Sequence, residues 1–117
     1  MPLDFQQPFT ERTPRVVNAG KLKRAQARRK AKAFLAEGEN AVEAAVATGA
    51  ATDLFVTEAA AERFEEIVRA AGYMDVYTHA ITEKAADSLA DAVTSTGIFA
   101  VCRPVLWTVP KIMKGRP

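Results

Sequence analysis

Cysteine and histidine are almost absent from this 117-residue sequence: Cys102 and His79 each stand alone. A single cysteine permits no disulfide within the chain. With one histidine beside it, the usual Cys/His zinc sets are excluded. Long apolar runs are also missing. No stretch approaches the roughly 20 residues that a membrane-spanning helix needs. The opening MPLDFQQPF has no basic segment leading into an apolar one, so it does not read as a secretory signal. Motifs for catalysis and nucleotide binding are lacking too: no Gly-rich phosphate loop, no GxGxxG, no HExxH and no GxSxG. These absences make a cytoplasmic protein with no membrane partner and no metal site the expectation.

What is present is enough apolar residue, 49%, for one domain with a modest core. The net charge of +2 conceals a segregation. Residues 1–36 hold nine Lys/Arg and two Asp/Glu, a net of +7. Residues 37–101 hold three Lys/Arg and twelve Asp/Glu, a net of −9, and residues 102–117 hold four Lys/Arg and no acid. An acidic body with a basic arm and tail points to an anionic partner for the arm.

Residues 1–17, with prolines at 2, 8 and 14, read as an irregular basic arm. A helix is expected from Asn18, a plausible N-cap, to Ala33. Phe34–Ala36 reads as a short buried strand, and Gly38 as the turn into a helix from Asn40 to Thr48 that Gly49 stops. Thr52–Thr57 is apolar and β-rich, as in a strand covered on both faces. Phe64, Ile67, Val68 and Ala71 give Ala59–Ala71 one apolar helical face, with Gly72 as the stop. A strand lies within Tyr73–Ile81, Thr82 caps a helix to Leu89, and Gly97–Pro104 carries the last strand. Residues 105–117 read as a linker or docked tail, with Trp107 as its pin or as a contact with a neighbour. Helices alternating with short buried strands indicate an α/β fold with helices on both faces of a small sheet.

The densest motif is the stretch from Lys21 to Lys32, in which seven of twelve residues are Lys or Arg and none is acidic. On one helix Lys21, Arg24, Arg28 and Lys32 form a stripe roughly 16 Å long. The plain reading of a charge run is a solvated helix, but such helices normally pair opposite signs. Seven cations without an acid call for an anion, and the lack of an apolar face disfavours a membrane surface. Contact with a nucleic-acid backbone fits best. Two further stretches are weaker. Gly38-Glu39-Asn40 opens a helix whose first N–H groups could meet a phosphate or a base edge. The Ser/Thr-rich loop before Gly97 allows close approach of a backbone or a ligand. Taken alone, each is more often an ordinary turn. His79 reads as structural, and Cys102 as a buried small hydrophobe.

Together these stretches resemble the N-terminal substrate-binding domain of the SpoU/TrmH family of RNA 2′-O-ribose methyltransferases. The resemblance is carried by Thr13-Pro14-Arg15, Lys21-Leu22, Arg29-Lys30, Phe34-Leu35-Ala36-Glu37-Gly38, Val42-Glu43-Ala44-Ala45, Leu54–Glu58 and Gly97–Pro104. Thr13 and Ser95-Thr96 depart from the family's common residues. The resemblance implies a three-layer α/β/α sandwich with a small mixed sheet, like that of kink-turn-binding ribosomal proteins. In those proteins a Gly-x-Asn at a helix start meets RNA, as Gly38-Glu39-Asn40 would here, with the loop at Thr96-Gly97 close by. It also implies that 18–104 is an RNA-binding domain, with 105–117 leading toward a methyltransferase domain that this chain does not contain. That missing domain would hold S-adenosylmethionine and the catalytic residues, leaving this chain with no cofactor and no methyl transfer of its own. The expected RNA-binding residues are Arg12, Arg15, Lys21, Lys23, Arg24, Arg28, Arg29, Lys30, Lys32, Gly38, Glu39, Asn40, Thr96 and Gly97. The expected partners are structured RNA, of the rRNA class, and the chain's own C-terminal domain, with the fragment monomeric and the full protein a homodimer. The alternative is a free-standing kink-turn or ribosome-associated RNA-binding protein without catalytic activity.

Overall fold

The structure is a computed structural model that describes residues 3–90 and 95–104. The expectations for the tail at 105–117, Trp107 included, lie outside the described residues.

Four strands form one mixed sheet in the order β1-β4-β2-β3. They are β1 (Phe34–Glu37), β2 (Ala51–Val56), β3 (Tyr77–Ala80) and β4 (Ile98–Cys102). β4 runs antiparallel to both β1 and β2, and β2 runs parallel to β3. β1, β2 and β3 therefore all end at the same end of the sheet, where β4 begins. The two central strands are nearly all buried, as their apolar sequences require. β1 corrects the expectation of a buried strand. It is an edge strand, with only Ala36 buried and Phe34 exposed. Three apolar or small residues, Phe34–Ala36, cannot reveal that β4 covers only one side of them.

Alternate residues of the strands feed two cores. One face packs Leu54, Val56, Ile98 and Ala100 against helices α3 (Glu39–Thr48), α4 (Glu58–Arg63) and α5 (Glu65–Tyr73). The other packs Phe55 and Phe99 against α1 (Pro14–Lys21) and α6 (Glu83–Leu89), with α2 (Ala25–Ala31) between α1 and β1 in sequence. This is the α/β/α sandwich with a small mixed sheet that the resemblance implied.

Helix boundaries differ from the sequence reading in two stretches. The helix expected over 18–33 is two helices, and the boundary at residue 18 falls inside the first. α1 begins at Pro14, which presets the helical φ and lacks an N–H that would go unpaired, so Asn18 is not a cap. α1 stays helical while Val16 and Ala19 face the core, and Leu22 is buried just beyond its end. Past Leu22 no residue is buried until Ala33, and α2 buries none at all. Most helical stability in a folded protein comes from a packed apolar face. Without one, mutually repelling cations do not hold a straight helix, and Arg24 turns extended (φ −97°) before α2 starts.

The helix expected over 59–71 also divides, at Phe64, so that α4 packs on β2 while α5 packs on α3 and β3. A straight helix would not follow the twist between those strands. Phe64, Ile67 and Ala71 are still buried together, as their spacing required. Gly72 lies within the last turn of α5, and the left-handed residue that ends the turn is Asp75 (φ 58°). Elsewhere the reading holds. Gly49 stops α3 in the left-handed conformation, and Thr82 caps α6 by accepting from the Ala85 N–H.

Candidate nucleic-acid interface

Three helices begin where β1, β2 and β3 end. Two are capped by threonine: Thr57 Oγ1 accepts from the Ala60 N–H at 3.2 Å, and Thr82 Oγ1 from the Ala85 N–H at 3.0 Å. The third, α3, has Gly38 at the cap position and no side-chain cap. The Gly38 N–H donates to the Ile98 carbonyl at 3.1 Å, which ties the end of β1 to the start of β4. The next N–H groups, on Glu39, Asn40 and Ala41, precede the first intrahelical donor, the Val42 N–H, which reaches the Gly38 carbonyl at 3.0 Å. They form the positive end of a ten-residue helix, and all three residues are exposed. Gly38 sits at φ 97°, ψ 164°, a backbone region that side-chain-bearing residues avoid.

The loop at 95–97 lies against this helix start, as the family likeness implied. A Cβ on Gly38 would come 4.0 Å from the Thr96 methyl. The Glu37 carboxylate accepts from the Thr96 N–H at 3.3 Å and from its hydroxyl at 3.4 Å. Thr96 is exposed beside Gly38, but Gly97 is buried. A Cβ on Gly97 would lie 2.7 Å from Thr57 Oγ1 and 3.1 Å from the Ala60 Cβ. Its missing side chain thus serves packing on α4. Gly97 shapes the loop and offers no surface to a ligand.

The cations divide into two groups. Lys23 Nζ donates to the carbonyl of Ser88 at 2.8 Å and to that of Ala90 at 3.4 Å, closing the C-terminal end of α6. Arg28 donates to the carbonyls of Leu22 and Lys23, both at 3.0 Å, closing the end of α1. Basic side chains suit these sites because the last carbonyls of a helix lack partners and carry its negative end. Arg15 is paired with Asp53 at 2.8 Å. Arg12, Lys21, Arg24, Arg29, Lys30 and Lys32 are exposed and form no ion pair with another described residue. The expected stripe of Lys21, Arg24, Arg28 and Lys32 is therefore dissolved, because its helix is broken and Arg28 is turned inward. Lys32 and Gly38 are six residues apart, before and after β1, at most roughly 20 Å, so Lys32 and the α3 start lie within reach of one folded RNA.

Sequence reasoning missed the group beneath Arg15. Asp53 is buried in β2 and accepts from Arg15 and from His79 Nε2, both at 2.8 Å, and from Thr52 Oγ1 at 3.0 Å. Phe9 and Phe55 flank the His79 ring at 5.1 and 5.0 Å between centroids. Burial pushes the Asp53 carboxyl up. The hydrogen bonds from His79 and Thr52 and the Arg15 and His79 charges outweigh it, holding the group below the usual carboxylate range. The available signal was one acid inside an otherwise uncharged, β-rich strand. His79 is structural, as expected. Cys102 is also as expected: burial pushes its thiol up to about 11, so it remains an unreactive core residue.

A profile of the family described as "MRM3-like substrate binding domain" matches residues 13–100. Among solved structures, an RNA 2′-O ribose methyltransferase is similar at 20% identity and a TM-score of 0.69, over 95% of this chain and 42% of that one. An rRNA methyltransferase from Sinorhizobium meliloti is similar at 16% identity and a TM-score of 0.68, over 85% and 37%. An AdoMet-bound rRNA methyltransferase from the same organism gives 16%, 0.62, 77% and 33%. The chain thus spans less than half the length of each of these proteins, and the likeness to them is one of fold. No curated protein matches.

Proposed function

The chain belongs to the MRM3-like substrate binding domain family, and from that premise we propose that it binds structured RNA for a 2′-O-ribose methyltransferase domain of the same polypeptide. The substrate class in this reading is rRNA, and the catalytic domain follows residue 117. S-adenosylmethionine belongs to that domain as the methyl donor, and no residue of this chain is assigned to hold it. The full protein is a homodimer through the catalytic domain.

One observation carries the reading. α3 alone among the three helices at this end starts without a side-chain cap, and the fixed loop at Thr96 flanks it. A phosphate or a base edge supplies the acceptors that the threonines supply to α4 and α6. Irregular RNA suits such a site, because its loops and bulges expose base edges that a regular duplex hides. Arg12, Lys21, Arg24, Arg29, Lys30 and Lys32 supply attraction to the backbone. Arg15, Lys23 and Arg28 hold the scaffold, and Gly97 shapes the loop. Solved structures of methyltransferases with this fold favour a delivery role over a free-standing kink-turn protein.

The test is affinity for structured rRNA fragments, measured against salt. With four to six phosphates contacted, log K should fall against log salt with a slope of about −3 to −5. A regular duplex of equal length should bind more weakly at each salt concentration. A slope near zero, or no preference for the irregular RNA, would remove the reading.

A further inference from the structure

The acidic side of the molecule carries a second surface. Tyr73, Met74 and Tyr77 are 83%, 47% and 68% exposed, three of the five exposed large hydrophobic residues among those described. They lie together at the end of α5 and the start of β3, beside a cleft of about 810 Å³. β3 is an edge strand, and only its far end is covered. There Phe9 bridges Ile81, taking the Ala80 carbonyl at 2.8 Å and the Thr82 N–H at 3.0 Å. The Ile81 N–H points the other way, to Val56 in β2. By the alternation of a parallel strand, the N–H and C=O of Thr78 face outward like those of Ala80. No described residue meets them. A half-open strand edge flanked by two exposed tyrosines is a surface that natural proteins normally cover.

RNA does not suit it. α5 and the turn into β3 carry Glu65, Glu66 and Asp75 against Arg69, which itself pairs with Glu65. The patch also lies at the end of the sheet opposite Gly38. β4 finishes at this same end: Asp53 of β2 is in register with Val101 on one side and with Tyr77 on the other. The Arg103 N–H then donates to the Ala50 carbonyl at 2.9 Å. The end of β4 and the tyrosine patch are thus two strands apart, roughly 10 Å. Proteins that share this fold are more than twice as long as the chain.

We propose that the outer edge of β3, with Tyr73 and Tyr77, is the seat of the catalytic domain that follows, through an apolar contact and hydrogen bonding to Thr78. This rests on the functional reading above. It assigns the two edges of the sheet different partners: RNA at the β1 edge, where Lys32 precedes the strand and α3 follows it, and protein at the β3 edge.

Amide hydrogen exchange at Thr78 tests it, compared between this 117-residue chain and the longer gene product. The expected result is exchange slowed by about tenfold or more in the longer protein. In a variant with Tyr73→Ser and Tyr77→Ser that protection is lost, while RNA affinity stays within about twofold. The substitutions lie on exposed side chains, so the melting temperature of the 117-residue chain should hold. Equal exchange in both proteins would overturn the proposal. So would protection that appears only on raising the concentration of the short chain, or only on adding RNA. Unprotected Thr78 beside normal RNA binding removes this contact alone. Absence of RNA binding, or a gene product with no following domain, removes the functional reading beneath it.

Discussion

Arg28→Ala and Arg24→Ala remove the same charge from the same stretch, yet they should be detected by different assays. Arg28 closes the end of α1 through two carbonyls at 3.0 Å, those of Leu22 and Lys23. A hydrogen bond contributes about 0.5–1.5 kcal/mol net, and a charged donor somewhat more. The side chain is half-buried, so solvent screening moderates that figure, and the loss should come to about 1–2 kcal/mol. For a domain near 100 residues, 1 kcal/mol moves the melting temperature by about 4–8 °C. Arg28→Ala should therefore melt at least about 4 °C lower. The salt slope of RNA binding should stay where it was, because the Arg28 guanidinium is engaged by these two carbonyls. Arg24 is exposed and makes no ion pair with another described residue. Arg24→Ala should leave melting within about 2 °C and lower the slope by about 0.7–0.9, one phosphate contact. Thermal melts and affinity titrations at four salt concentrations read both quantities. Equal loss of slope in the two variants, with Arg28→Ala melting normally, would refute the division of the cations.

Three further outcomes follow from the same geometry. Gly97→Ala puts a methyl 2.7 Å from Thr57 Oγ1 at φ 81° and should destabilise by about 2–4 kcal/mol, read by denaturant unfolding. Gly38→Ala has more room but an unfavourable φ, so it should destabilise by about 1–2 kcal/mol and also weaken RNA binding. Asp53→Asn tests the buried cluster through pH. Its carboxyl is held low in the fold, so the stabilisation is present above the unfolded value of about 3.9 and is lost as pH falls through the folded value. The gap in melting temperature between the parent and Asp53→Asn should be widest near neutral pH and narrow below about pH 4. A gap that does not change with pH would sink that assignment.

Much of this fold was legible from local sequence because its signals are local. β2 and β4 announce themselves as short apolar runs, α6 by its threonine cap, and α3 by glycines at both ends. What was not legible depends on residues far apart in the chain. The break after Lys21 answers to Leu22 reaching the core and to carbonyls of α6 some 65 residues away, which Lys23 closes. Arg15 looked like one more phosphate contact because Asp53, its partner, lies 38 residues on. β1 looked buried because its residues match a core strand, and only the strand order makes it an edge. The candidate site shows the same division. The α3 start and the nearby Thr96 loop were readable from glycine positions and family likeness. Which cations are available was a question of tertiary structure.

The most direct test of the central claim is amide chemical-shift mapping of the labelled chain during titration with a structured rRNA fragment. The account predicts the largest changes at Glu39, Asn40, Ala41 and Thr96, with smaller ones along Lys21–Lys32, and none at Tyr73–Thr78. Changes centred on Tyr73–Thr78, or a quiet α3 start while RNA is bound, would contradict it.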